Sequence, residues 1–116
     1  ERYGGTLEAF TLAMQANSLT DVVLPYRTDL EGFLRDAPND LSLRMAFIDG
    51  DHSYEAVAKD IKIVESLLLP DGWICFDDAF SSYEGVNAAI RKHVIESGRY
   101  KRSQQMTRKC FIAQRR

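Results

Sequence analysis

Two short apolar stretches, each followed at once by aspartates, constrain the fold of this chain more than any other feature. The first stretch, Leu43–Ile48, is followed by Asp49. The second, 73–76, is followed by Asp77 and Asp78. Between the two, apolar residues recur with the period of a helix at Val57, Ile61, Val64 and Leu68. This alternation of strand and helix predicts a mostly parallel sheet covered by helices.

Weaker patterns extend the prediction along the chain. Apolar spacing predicts further helices at 6–17, 30–34 and 84–97, and further strands at 22–24, 100–106 and 109–113. Ser53 is placed to cap a helix, Gly98 to end one, and 70–72 to form a turn. The last two strands leave no room for a crossover helix, so we expect them to pair antiparallel. The 116 residues suit a single α/β domain, 1–116.

Composition excludes several classes of protein. With 45% hydrophobic and 28% charged residues, the chain does not resemble a disordered one. No apolar run approaches the roughly 20 residues that a membrane-spanning helix needs, and no signal peptide is visible. We therefore expect a cytoplasmic protein that does not bind a membrane. Cys75 and Cys110 stand in apolar stretches without metal-type spacing, which predicts two buried thiols.

Charge is unevenly distributed along the chain. The last 26 residues contain nine basic residues and one acid, Glu96. Such a segment is typical of a surface that binds a polyanion, or of a solvated helix face followed by a hairpin. The second interpretation is favoured, because no aromatic residues interleave with the bases as stacking on nucleobases requires. Nucleic acid is therefore not an expected partner, whereas the opposite charges of the two ends favour contacts between copies.

The aspartates that follow the two central strands are candidates for chemistry. Ligands of parallel sheets bind at the carboxyl ends of the strands, where Asp49, Asp51, Asp77 and Asp78 are expected to meet. Four carboxylates at such close range repel one another unless a cation joins them, which points to Mg²⁺, Ca²⁺ or Mn²⁺. The alternative is structural: Asp51 and Asp78 cap the following helices, while Asp49 and Asp77 accept backbone hydrogen bonds.

His52 lies at the mouth of the same predicted pocket. An imidazole titrates near neutrality, so His52 is a candidate general base for a substrate hydroxyl held by a nearby cation. The alternative is a residue at the start of a helix that bonds to the backbone. The other histidine, His93, is expected on the surface of the last helix.

The segments 45–54 and 69–78, which read MAFIDGDHSY and LPDGWICFDD, carry a resemblance to a known family. They resemble the second half of class I S-adenosylmethionine-dependent methyltransferases. The branch they are most similar to is the O-methyltransferase-like one that includes the catechol and caffeoyl-coenzyme A enzymes. The resemblance implies a Rossmann-like methyltransferase sheet, mostly parallel, with a C-terminal antiparallel hairpin.

The same resemblance implies roles for single residues. In metal-dependent members, the Asp after the fourth strand binds the cation, which corresponds to Asp49 here. Those members use an Asp-Asn pair after the fifth strand, where this chain offers Asp77 and Asp78 as altered ligands. Three positions after the first metal ligand they place a base, usually Lys, and here that position is occupied by His52.

Cofactor contacts follow from the resemblance in the same way. Residues after the third strand contact the adenine of S-adenosylmethionine, which indicates Thr28 and Asp29. Asp49 and the adjacent Gly50 are expected to lie beside the cofactor.

Part of the family's pattern has no counterpart in the sequence. The glycine-rich loop after the first strand and the acid after the second are absent, and Gly4 and Gly5 follow no strand. In the family's strand order, 3-2-1-4-5-7-6, the two missing strands separate 22–24 from Leu43–Ile48. A buried strand edge is thereby left unpaired. We therefore expect a part of a larger methyltransferase, or a chain that completes its sheet by forming a homo-oligomer.

The sequence thus predicts an S-adenosylmethionine-dependent methyltransferase that O-methylates a small-molecule hydroxyl, with assistance from a divalent cation. Two alternatives remain open. One is a phosphatase of the haloacid-dehalogenase type, with Asp49 as nucleophile, Asp51 as general acid, and Asp77 and Asp78 holding Mg²⁺. The other is a non-catalytic scaffold that binds anions or nucleic acid through the basic C-terminal segment.

Overall fold

The computed structural model describes residues 2–116, with side-chain environments from Gly5 onward. In chain order the elements are α1 (Arg2–Ala16), α2 (Leu30–Asp36), β1 (Leu43–Ile48), α3 (Tyr54–Leu67), β2 (Leu68–Phe76), α4 (Glu84–Ile90), a π-helical turn (Arg91–Ile95), β3 (Tyr100–Gln105) and β4 (Phe111–Arg115). None of the helices in this range has the length and apolar character that a membrane crossing requires.

The strands form a mixed sheet in the order β1-β2-β4-β3. β1 and β2 are parallel, while β4 runs antiparallel to both β2 and β3. Three of the four strands therefore point the same way. The predicted α/β class, the parallel central pair and the C-terminal antiparallel hairpin are confirmed.

The hydrophobic core lies between the sheet and the helices α3 and α4. The predicted stripe Val57, Ile61, Val64 and Leu68 is buried throughout, and it packs against Ile74, Phe76, Val86 and Ile90. α3 begins where predicted, because the Ser53 hydroxyl accepts a hydrogen bond from the Ala56 amide at 3.2 Å. The helix is thus fixed at its start and along its apolar face.

β1 lies at the edge of this sheet. Ala46 and Ile48 pack against the core, whereas Met45 and Phe47 alternate with them and are exposed on the opposite face. Within residues 2–116 the strand pairs only with β2, so its outer edge offers free backbone groups. An open edge at this position agrees with the expectation that two strands of the family's sheet are missing.

The strand predicted at 22–24 is wrong. The amides of Val22 and Val23 both bond back to the Leu19 carbonyl, at 3.0 and 2.8 Å, and form a turn after α1. Val22 and Leu24 are exposed. A strand needs a neighbour to satisfy its backbone groups, and within residues 2–116 no strand pairs with this segment.

Three smaller predictions also need correction. The predicted helix 84–97 is α-helical only to Ile90 and continues as the π-helical turn, although Gly98 adopts the predicted positive φ of 74°. The predicted turn 70–72 lies inside β2 as a bulge, because the pairing shifts between Leu43 and Met45 of β1. Cys75 is buried as expected, but Cys110 is only partly buried.

His93, expected on the surface, is half-buried in the π-helical turn. Its Nε2 lies 2.9 Å from the Tyr54 hydroxyl, and its carbonyl accepts a hydrogen bond from Arg99. Burial lowers the pKa of His93, and the charges of Lys92, Lys62 and Arg99 lower it further. The structure therefore favours the neutral imidazole.

This environment predicts a specific pH dependence of stability. Because the folded pKa lies below the ordinary 6.5, the unfolded chain binds the proton more readily, and the free energy of unfolding should fall as the pH drops below that value. His93→Gln should weaken this dependence. Urea unfolding of both proteins at neutral and mildly acidic pH measures it, and identical pH dependence in the two would contradict the prediction.

Candidate functional site

The loops that follow β1 and β2 meet at the carboxyl edge of the sheet. Ile48 and Phe76 are paired at the ends of the two parallel strands, and the Asp77 amide donates to the Ile48 carbonyl at 3.2 Å. The aspartates that follow each strand therefore lie side by side. This is the edge where parallel sheets bind their ligands.

Asp49, His52 and Asp78 form the candidate site. Each offers one ligand atom, and the three atoms lie within 4.8 Å of one another. His52 Nε2 is 2.9 Å from Asp78 Oδ2, and the His52 ring stacks on Tyr83 with the centroids 4.0 Å apart. The Asp78 side chain is only 15% exposed, against 35% for His52. The imidazole is held between an aromatic ring and a carboxylate.

Lys109, which the sequence did not indicate, completes the surroundings of Asp78. Its Nζ lies 3.2 Å from Asp78 Oδ1. The Lys109 ammonium group, and to a smaller extent His52, holds the pKa of Asp78 below its usual range. Desolvation of the carboxylate acts in the opposite direction. The signal that could have indicated Lys109 is the strand register. Because β2 and β4 are antiparallel and Phe76 pairs with Phe111, residue 78 comes opposite residue 109.

The remaining acids of the two loops take different places. Asp77 lines a small hollow together with Asp49 and His52, but it is not among the three clustered ligands of the described chain. The Asp51 carboxylate accepts a hydrogen bond from the Ser53 amide at 2.9 Å, which shapes the turn into α3. The structural alternative thus applies to Asp51, whereas His52 bonds a side chain and not the backbone.

Gly85, at the start of α4, allows that helix to approach the site loop closely. A Cβ at this position would lie 2.7 Å from the Tyr54 nitrogen and 2.8 Å from the His52 oxygen. Both are backbone atoms, so any side chain at 85 would push the loop away from its position. No sequence pattern indicated a role for this glycine.

We therefore expect Gly85→Ala to destabilise the fold by about 1–3 kcal/mol, as overpacking of a rigid contact does. Gly50→Ala is the matched control, because its Cβ would find Asp60 at an ordinary 3.6 Å. Urea unfolding of both variants measures the difference. Equal free energies of unfolding in the two variants would contradict the prediction, because they would show that the loop at His52 moves aside without loss of stability.

The predicted cofactor residues divide between two hollows. Thr28, Asp29 and Gly50 line a cavity of about 390 Å³ between α2 and α3. Asp49 instead lines the small hollow beside His52, and Gly50 borders both. Asp29 also has a structural role, because its carboxylate accepts from the Gly32 amide at 2.8 Å and caps α2.

The large cavity combines polar and charged side chains with a lining surface that is mostly apolar. Asp60 projects into it, and burial raises the pKa of that carboxyl group. Lys59 forms an ion pair with Glu31 at its rim. Carboxylates and hydroxyls in a partly enclosed cavity can accept hydrogen bonds from a polar ligand such as a nucleoside.

Comparisons with known proteins identify relatives of this arrangement. A family model described as a methyltransferase domain matches residues 4–79. This match favours the methyltransferase prediction over the phosphatase and scaffold alternatives. No curated protein matches the chain.

Two solved structures share the fold. The structure of the O-methyltransferase NovP matches with 20% sequence identity and a TM-score of 0.61. The match covers 74% of this chain and 34% of the NovP chain. The apo structure of CalS11, a TDP-rhamnose 3′-O-methyltransferase of calicheamicin biosynthesis, has 15% identity and a TM-score of 0.59, covering 76% and 37%. The chain therefore spans about a third of the length of these structures.

Proposed function

The chain belongs to the methyltransferase-domain family, and from this premise we propose that it forms the acceptor-activating part of an S-adenosylmethionine-dependent O-methyltransferase. The proposed acceptor is a hydroxyl group of a small molecule. The observation that carries the proposal is the 2.9 Å contact between His52 Nε2 and Asp78 Oδ2 at the carboxyl ends of two adjacent parallel strands. Both solved relatives are named as O-methyltransferases.

In this proposal His52 is the general base. The Asp78 carboxylate favours the tautomer with the proton on Nε2, which leaves the lone pair of Nδ1 free to accept a proton. As the acceptor oxygen loses its proton to Nδ1, Asp78 stabilises the imidazolium that forms. Stacking on Tyr83 holds the ring in one orientation and limits the entropy lost in reaching the reactive geometry.

S-adenosylmethionine, when bound, supplies a methyl group on a positively charged sulfur. Thr28, Asp29 and Gly50 are proposed to hold its adenosine portion, because they line the cavity beside the loop that carries His52. Asp49 lines the small hollow together with His52, and Gly50 borders both that hollow and the cavity. In this proposal the chain's own residues contact the adenosine portion and accept the proton of the acceptor.

A divalent cation is proposed as an optional aid to this chemistry. Asp49 and Asp78 offer carboxylate oxygens, which suit Mg²⁺ or Mn²⁺, while His52 remains the base and is not used as a ligand. Asp77, the third ligand inferred from the family, borders the same hollow and could join after a side-chain rotation. When bound, the cation would polarise the acceptor hydroxyl.

We also propose that a further segment or a second copy completes the sheet, and that a further segment supplies the glycine-rich cofactor loop. The open edge of β1 and the exposed Met45 and Phe47 support this proposal. Calorimetric titration of residues 1–116 with S-adenosylmethionine tests it. We expect no tight binding by the chain alone, and tight binding would show that no other segment is needed.

A further inference from the structure

We propose that Lys109 is a positioning residue that provides the positive charge at the candidate site, so that Asp78 orients His52 without a divalent cation. This inference rests on the role of His52 proposed above. Both carboxylate oxygens of Asp78 are engaged: Oδ2 with His52 at 2.9 Å and Oδ1 with Lys109 at 3.2 Å. The ammonium group therefore neutralises the charge of Asp78, one of the three clustered ligands.

The backbone around Lys109 is fixed, which distinguishes it from an ordinary surface lysine. The Lys109 carbonyl accepts a hydrogen bond from the Ala79 amide at 2.8 Å, and the Gln105 side chain donates to the Ala79 carbonyl at 3.2 Å. Within the hairpin turn, the Thr107 hydroxyl accepts from the Cys110 amide at 3.1 Å. The turn is thus joined to the residue that follows Asp78.

This placement has a consequence for cation binding. A divalent ion that uses Asp78 must displace Lys109 or sit close to its ammonium group, and either event costs free energy. With Lys109 in place, Asp78 holds the proton of His52 on Nε2 and the site operates without metal. Without it, the three clustered ligands are left with unbalanced negative charge, which a divalent ion can neutralise.

The proposal is tested by Mn²⁺ binding, measured by electron paramagnetic resonance or calorimetry without cofactor or acceptor. We expect Lys109→Met to bind Mn²⁺ on the order of tenfold more tightly than the unmodified chain, as removal of a nearby positive charge implies. Lys109→Arg keeps the charge and should bind as weakly as the unmodified chain. Lys101→Met removes a lysine that pairs with Asp71 at the other end of the sheet, and it should change nothing.

Equal affinity of Lys109→Met and the unmodified chain would overturn the proposal, as would an equal gain in Lys101→Met. Circular dichroism establishes that each variant is folded, and Lys109→Gln is the substitute if Lys109→Met is not. Because no methyl transfer is measured, a failed test leaves the role of His52 standing. Conversely, an inactive enzyme with the expected Mn²⁺ behaviour would remove only the proposed function.

Discussion

Replacing His52 with alanine should lower the kcat of methyl transfer in the complete enzyme by about 10²–10⁴-fold, the usual contribution of a general base. The reason is geometric: Asp78 and Tyr83 hold the ring at the carboxyl edge, where the acceptor is proposed to bind. Transfer of a labelled methyl group to a hydroxyl acceptor measures the loss. Affinity for S-adenosylmethionine should remain, because the residues proposed to bind it lie in the neighbouring cavity.

His93→Ala is the matched control for this experiment. His93 also bonds an oxygen-bearing side chain, Tyr54, but it belongs to the π-helical turn and not to the site. Its replacement should leave kcat unchanged. A His52→Ala enzyme as active as His93→Ala would show that His52 does not accept the proton.

The largest effect on stability is expected for Phe76→Ala, at about 3–5 kcal/mol. Phe76 is 1% exposed and packs in the core at the end of β2, directly before Asp77 and Asp78. The substitution removes buried apolar contacts and leaves a cavity under the site. Urea unfolding monitored by circular dichroism measures the change in free energy.

Phe47→Ala is the control, because the same substitution is made on the adjacent strand but on the open face. Phe47 is 56% exposed, so its removal from this chain should cost less than about 1 kcal/mol. Similar losses for the two variants would mean that the open face is covered in solution. That result would contradict the distinction between the two faces of the sheet.

Local patterns predicted much of the fold. The apolar stripe from Val57 to Leu68 predicted both that this segment is helical and which of its faces is buried. It could do so because apolar residues that recur with the helical period mark the buried face. The prediction of a strand at 22–24 was wrong because local pattern was not enough. The apolar character of these residues suits a strand, but a strand forms only beside a neighbouring strand, which no local pattern reveals. The π-helical turn that begins at Arg91 depends on packing in the same way.

The site was predictable where it follows from topology. Parallel β1 and β2 had to bring Asp49 and Asp78 together, and the structure confirms that adjacency. The partner of Asp78 was not predictable, because Lys109 reaches it only through the antiparallel register of β4 against β2. Gly85 was missed because its importance lies in a close contact between α4 and the His52 loop.

The position of the proton on the His52 ring shows whether Asp78 orients this histidine as the proposed function requires. A long-range proton–nitrogen NMR spectrum of the folded chain at mildly alkaline pH shows which ring nitrogen carries the proton. We expect the proton on Nε2, facing Asp78, and a shift toward mixed tautomers in Asp78→Asn. A proton on Nδ1, or a spectrum unchanged by Asp78→Asn, would contradict it.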